Sequence, residues 1–313
     1  MSKPNFMELT NNPKSIQNKN VSPSIVEKGY ENITTYFNVA GPDYEAWSKN
    51  FNMHFGYCRA FTDIFSLEKM LVNMNDEVLK QLQINPDLGA EIADLGCGVG
   101  SVARFAAKKY KLTSVTGVTI VDYQIMKGQS MNEKDGLSNR VSIIKDSFEN
   151  LQFKDESFTH AYALESACYA RGSGKGLFVA EMARVLKSGG RFCIADGFLK
   201  HNRKLPRLFN YLYKKIIKYW ALPGFGNIND FKEQLELQGL KDISIREISL
   251  RIAPSVSYVP WTCINFFAKE LWRSKSLRMK KERWHNVFAP ILGMMLGLYR
   301  SHFGYYIISG RKG

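Results

Sequence analysis

The stretch of the chain best suited to chemistry is EIADLGCGVGSVARFAAKKY, residues 91–110. Apolar residues lead to Asp94. Gly96, Gly98 and Gly100 then stand bare where a strand-like pattern gives way to a helical one. Glycine reaches backbone angles that other residues resist. A turn without side chains lets a ligand touch the main chain and meet the N–H groups that open a helix. Asp94 places a carboxylate just ahead of that turn, a position that by itself suits a strand-end turn residue. The glycines are spaced G-x-G-x-G, unlike the G-x-G-x-x-G of dinucleotide turns, and no Gly-Lys-Ser/Thr follows as in a phosphate loop.

The elements needed to hold such a turn are legible around it. EIADLG reads as a first strand and SVARFAAKKY as its helix; SVTGVTI and VDYQIMKGQSMNEKDG repeat the pair. VSIIKD and FTHAYALES read as third and fourth strands, KGLFVAEMARVLKSG as a helix and GRFCIADGF as a fifth strand. Alternation at this interval signals a parallel sheet covered on both faces. Such sheets bind ligands beyond the carboxyl ends of their strands, where the strand order reverses. Upstream, Ser66–Ile84 has helical periodicity with Ser66 as a candidate cap. Downstream, FKEQLELQGLKDISIREISL reads as helix, turn and strand, residues 252–300 as helical, and HFGYYIISGRKG as a last strand.

Asp94 and the glycine turn together resemble the first motif of class I S-adenosylmethionine (SAM) methyltransferases. Lys145–Phe158, KDSFENLQFKDESF, resembles the family's segment after the third strand, whose aspartate meets the adenine amino group; that position is Asp146. EMARVLKSGGRF, residues 181–192, is similar to its R-V-L-K-P-G-G turn, with Ser188 in place of proline. The resemblance covers roughly residues 44–200. It implies a Rossmann-like α/β fold with a seven-stranded, mostly parallel sheet whose last strand, near Tyr305–Gly310, is antiparallel. It implies SAM as cofactor, held by Asp94, Gly96, Cys97, Gly98, Gly100, Thr119, Ile120, Gln124, Asp146, Ser147 and Phe148. Thr119 stands where many relatives carry a ribose-binding acid, and a hydroxyl binds ribose more weakly than a carboxylate; Gln124 and Asp122 are the candidates to assist it.

The GVT…YQ version of that slot resembles the branch of sterol, tocopherol and prenyl-diphosphate C-methyltransferases. WSKNFNMHFGYCRAF resembles the aromatic segment that closes over the site there, and AYALESACYA its fourth-strand segment. Sterol enzymes usually have His where Tyr169 stands; a Tyr looks more like the prenyl-diphosphate enzymes. Methyl transfer to a carbon–carbon double bond leaves a carbocation, which an electron-rich wall stabilises and a carboxylate can stabilise or deprotonate. Glu165, at a strand's carboxyl end, is the candidate carboxylate. Tyr44, Trp47, Phe55, Tyr57 and Tyr169 are candidates for the wall, and His54 for orienting a polar group. Each aromatic also suits ordinary core packing, and Glu165 a cap or an ion pair.

The resemblance and the segmentation divide the chain into a disordered tail (1–25), an aromatic-rich helical cover (26–85), the SAM-binding core (86–200) and a substrate cap with the last two sheet strands (201–313). The chain has 313 residues, 45% hydrophobic, with 43 Lys plus Arg against 29 Asp plus Glu, a formal charge of +14. That excess favours anionic partners. Basic runs at 200–218 and 273–283 suit a diphosphate, an anionic membrane surface or a solvated helix face. Neither resembles a nucleic-acid-reading motif, so no nucleic-acid partner is expected, although an RNA methyltransferase stays an alternative. O- or N-methylation of a polar metabolite or a phospholipid amine is another. Five cysteines without CxxC spacing argue against disulfides or zinc, so no metal site is expected, with Mg²⁺ only if the substrate is a diphosphate. The start of the chain lacks an apolar signal region, and Val287–Tyr299 is too short to span a bilayer. The expectation is a cytoplasmic enzyme, with peripheral membrane contact open.

Overall fold

The computed structural model describes residues 23–275 and 278–313. The expected tail therefore lies almost wholly outside the described residues. Its last three residues do not: α1 (Pro23–Ala40) already includes them. A 3₁₀ turn at Gly41–Ala46 and another at Phe61–Phe65 lead into α2 (Leu67–Leu82). Ser66 caps α2 by accepting the Lys69 N–H at 3.3 Å, as expected.

The core then alternates as β1 (Ala90–Leu95), α3 (Ser101–Lys109), β2 (Thr113–Thr119), α4 (Asp122–Lys134), β3 (Val141–Lys145), β4 (Phe158–Leu164), α5 (Gly176–Val185) and β5 (Leu186–Leu199). After it come α6 (Arg207–Tyr219), the two-residue β6 (Gly226–Asn227), α7 (Ile228–Leu237), β7 (Leu240–Glu247), α8 (Ser249–Val256), α9 (Val259–Ser274), α10 (Lys281–Gly297) and β8 (Phe303–Lys312). The sheet order is β3-β2-β1-β4-β5-β8-β7, with β6 beside β5. Pairing is parallel from β3 through β5, and β8 runs antiparallel between β5 and β7. This is the Rossmann-like sheet anticipated, with one short strand more.

Strands buried on both faces explain this sheet. Ile92, Ala93 and Leu95 of β1 are fully buried, as are Phe192, Ile194 and Ala195 of β5; such continuous apolar runs belong to covered parallel sheets. The α2 and α3 side chains Met74, Leu79, Ala103 and Ala106 cover one face, and Phe178, Met182, Phe231 and Leu235 of α5 and α7 the other.

Two boundaries differ from the sequence reading. The turn expected at Lys187–Gly190 is absorbed into β5, where the pairing slips from Phe158↔Leu186 to His160↔Arg191. Gly189 takes a positive φ of 74° there, an irregularity that ladder bonds on both sides tolerate. The fourth strand stops at Leu164, because Glu165 turns to a left-handed φ of 51°.

Chain order reverses between β1 and β4: the chain leaves β1 for β2 and β3 on one side and returns to pair β4 on the other. The crevice beyond the carboxyl ends of those two strands is where this sheet class binds ligands.

Candidate functional site

A cavity of about 620 Å³ opens at that crevice. One end is walled by the residues after β1, β2 and β3, the other by α6, α8, α9 and α10, and Tyr30, Ile33 and Phe37 of α1 line the cavity as well.

At the first end the glycine turn has φ of 87°, 54° and 75° at Gly96, Gly98 and Gly100. The three have different reasons to be bare. A Cβ on Gly96 would lie 2.4 Å from Ser166 Cβ, and one on Gly100 2.7 Å from Ile143 Cδ1, so these two permit close packing. A Cβ on Gly98 would meet only Met53 Sδ, at 3.4 Å. Its bareness leaves backbone facing the cavity. Gly96→Ala is therefore expected to destabilise the fold by about 1–3 kcal/mol, since positive φ and backbone-fixed crowding add; denaturant unfolding would measure it.

Asp94 is buried and accepts the Tyr162 hydroxyl at 2.7 Å. Burial pushes its pKa up to about 7, against the pull of that hydrogen bond. A buried carboxyl with so little compensation gains from a cation placed beside it. On the next strand Thr119 donates its hydroxyl to Gln124 Oε1 at 2.6 Å and accepts the Val121 N–H at 3.2 Å. Both side chains line the cavity, as does Ile120; Asp122 does not, and pairs with Lys145 at 2.7 Å.

Asp146 follows β3. Its carboxylate accepts the Ser147 N–H at 2.8 Å and the Gln152 N–H at 3.0 Å, and burial raises its pKa despite both. Ser147 and Phe148 complete this wall, with Phe148 edge-on to Phe178 at 5.4 Å. Cys97 lines the cavity as a thiol whose pKa burial drives well up, so it is inert as a nucleophile. Helix α1 closes over this end: the Tyr30 hydroxyl donates to Glu149, which Arg171 grips through Nε at 2.8 Å and its backbone N–H at 2.7 Å.

At the second end Glu165 is held by two donors on one oxygen, the Phe55 N–H at 2.7 Å and the Tyr305 hydroxyl at 2.8 Å. Burial raises its pKa to about 8; Asp196 adds to the rise, and the two donors oppose it. Its positive φ is uncommon for a residue with a long side chain and marks a position the surroundings enforce. Tyr44, Trp47, Phe55 and Tyr169 line the cavity as expected. Tyr57 does not: it is buried with Met74, Val78 and Leu82 beneath α2, so its expected place in the wall is corrected to core packing. His54 lines the cavity with Nδ1 2.9 Å from the Phe55 carbonyl. Burial lowers its pKa to about 4, leaving a neutral ring.

Two residues of this end escaped the sequence reading. Asp196, near the carboxyl end of β5, accepts the Cys168 N–H at 2.8 Å and the Gly197 N–H at 2.7 Å, and burial raises its pKa to about 6. An acid at the end of GRFCIADGF was a visible signal. Tyr305 had none, because its partner Glu165 lies 140 positions away in the chain.

The rest of the second end is mostly apolar, lined by Phe198, Ile216, Trp220, Phe225, Val259, Phe266 and Val287, with Asp43 and Asn286 among its polar members. The basic runs stay outside. Besides His54, Arg300 is the one basic residue among the described residues that lines the cavity, and its guanidinium pairs with Glu247 at 3.1 Å. Arg283 is spent on Asp43 at 2.9 Å and Glu270 at 3.1 Å, a clasp joining the N-terminal cover to the C-terminal cap.

Residues 93–194 match the family model described as a methyltransferase domain. The chain is 33% identical over 174 residues to the sterol 24-C-methyltransferase of Eremothecium gossypii, covering 55% of this chain and 44% of that protein. It is 31% identical over 235 residues to cycloartenol-C-24-methyltransferase 1 of Oryza sativa, covering 73% and 63%. The chain thus spans less than half the length of the first curated relatives it matches. Among solved structures, the geranyl diphosphate C-methyltransferase of Streptomyces coelicolor, in complex with Mg²⁺, geranyl diphosphate and S-adenosyl-L-homocysteine, superposes with a TM-score of 0.65. That pair shares 16% identity and covers 91% of this chain and 98% of the other. At that identity the likeness is one of fold.

Proposed function

We propose that this chain, whose residues 93–194 carry a methyltransferase domain, is a SAM-dependent C-methyltransferase acting on an uncharged isoprenoid of sterol-like or quinol-like character. The observation that carries the acceptor class is the second end of the cavity, whose largely aromatic and aliphatic walls surround the buried carboxyls of Glu165 and Asp196 and whose one arginine is already paired. The similarity to sterol methyltransferases supports the same reading.

SAM fits the first end on the residues present. Gly98 leaves backbone open to the cavity, and Asp94 is a buried carboxyl in want of a cation such as the ammonium of the methionine portion. Asp146 and Phe148 stand where a purine would be held by one amino group and one face. Thr119 and Gln124, already bonded to each other, offer hydroxyl and amide to a ribose. Bound there, SAM supplies an electrophilic methyl group.

At the other end the chain's residues receive a cation. Tyr44, Trp47, Phe55 and Tyr169 present ring faces and edges that favour positive charge without bonding to it. Glu165 is the base. With a pKa of about 8 it is a stronger base than an exposed glutamate, and a positive charge forming nearby favours its ionised form. The Tyr305 hydroxyl and the Phe55 N–H fix the carboxylate in one position as it takes the proton. Because the carboxylate population rises with pH through the raised pKa, kcat/KM is expected to climb up to about pH 8 and then level.

Incubation with methyl-labelled SAM and a panel of sterols, prenylated quinols and prenyl diphosphates tests the reading. Carbon-bound label in a sterol or quinol is the expected result. Label in a prenyl diphosphate alone, or on oxygen or nitrogen, would overturn it.

A further inference from the structure

Helix α9 is apolar on two opposite faces. At about 100° per residue, Val259, Thr262, Cys263 and Phe266 fall on one side, and these line the cavity. Trp261, Ile264, Ala268, Leu271 and Trp272 fall on the other. That outer stripe is open to solvent: Trp272 is 89% exposed, Trp261 62%, Ile264 59% and Leu271 51%. Ala268, Leu271 and Trp272 share a shallow outer groove with Lys275. The inner apolar face is covered by the fold and the outer one is not, and exposed patches of this kind mark interaction surfaces.

We propose that the outer face of α9 seats the protein on an anionic lipid surface. Charge selects that occupant. Lys275 shares the groove of the stripe, exposed Lys269 lies on the same helix, and tryptophan beside lysine is the composition of an interfacial helix. Among the described residues no helix is long and apolar enough to cross a membrane, so the contact is peripheral. Position adds a second reason. The helix that meets the lipid on one side is itself a wall of the cavity on the other, so the acceptor travels one helix thickness from the bilayer to Glu165's end of the site. This deepens the proposed function and rests on its reading of the cavity as a lipid site.

Sedimentation of the full chain with vesicles of phosphatidylcholine containing about a third phosphatidylserine tests it without turnover. The chain is expected to sediment with these vesicles, to do so less as salt rises, and to bind pure phosphatidylcholine more weakly. The Trp261→Ser/Trp272→Ser variant is expected to lose roughly tenfold or more in vesicle affinity. Its heat of SAM binding should match that of the parent, since both side chains point away from the fold. It should also methylate an acceptor dispersed in detergent at the parent's rate, so a failure of docking and a failure of the proposed chemistry read separately. A parent chain that stays in the supernatant, or a variant that binds vesicles equally, would overturn the proposal. So would a parent dimer that the two substitutions convert to monomer, which would assign the stripe to a second copy.

Discussion

Replacing Glu165 by glutamine is expected to lower kcat by about 10²–10⁴-fold, the usual span for losing a positioned acid–base group, while the affinity for SAM stays within about threefold. The amide is isosteric and still accepts from the Tyr305 hydroxyl and the Phe55 N–H, so the fold should hold. What disappears is a group able to take a proton beside a cation. The pH profile distinguishes this from mere disturbance. The parent's rise toward about pH 8 comes from ionising a carboxyl that burial has raised, and the glutamine variant has nothing there to ionise. Tyr305→Phe is the companion: it removes a donor that favours the charged form, so the rise should move to higher pH. A variant retaining most of its turnover would instead point to methylation of oxygen or nitrogen by proximity.

Asp94→Asn should separate binding from stability. SAM affinity is expected to fall by about 10–100-fold, corresponding to one lost charge-assisted contact of about 1.5–3 kcal/mol. The ligand-free fold should lose nothing, and above about pH 7 it should gain. The sign follows from the raised pKa. The folded protein holds the proton up to about pH 7, whereas an unfolded aspartate releases it near 3.9. The native state therefore binds more protons between those values, and stability drains away as pH rises through the window. Asparagine keeps an acceptor for the Tyr162 hydroxyl and has no charge to bury. Thermal unfolding at about pH 5 and about pH 9, beside calorimetric titration with SAM, would measure both halves. A variant that unfolds earlier than its parent at alkaline pH would show Asp94 to be a structural residue.

Much of this site was legible because it follows a strand-turn-helix rhythm. Asp94, the glycines, Thr119 and Asp146 all sit at carboxyl ends of parallel strands, and the crevice collects those ends by topology. Glu165 was legible for the same reason. Tyr57 was misread because His54, Phe55 and Tyr57 form one aromatic run, yet the backbone of Tyr57 is tied to Met70 at 2.8 Å, which buries its side chain under α2. Tyr305 and the Arg283 clasp were illegible, since each joins segments separated by more than a hundred residues. The basic runs illustrate a different limit. Their charge is plain in the sequence, but whether it reaches the cavity depends on how α6, α9 and α10 turn, and among the described residues no cation of either run lines the cavity.

The central claim is that the bare turn after β1 binds the methionine portion of a sulfonium donor while Asp146 meets its base. Isothermal titration of the full chain with SAM, S-adenosylhomocysteine and NAD tests it most directly. The account predicts saturable heat at one site for the first two and none for the dinucleotide; heat with NAD alone would contradict it.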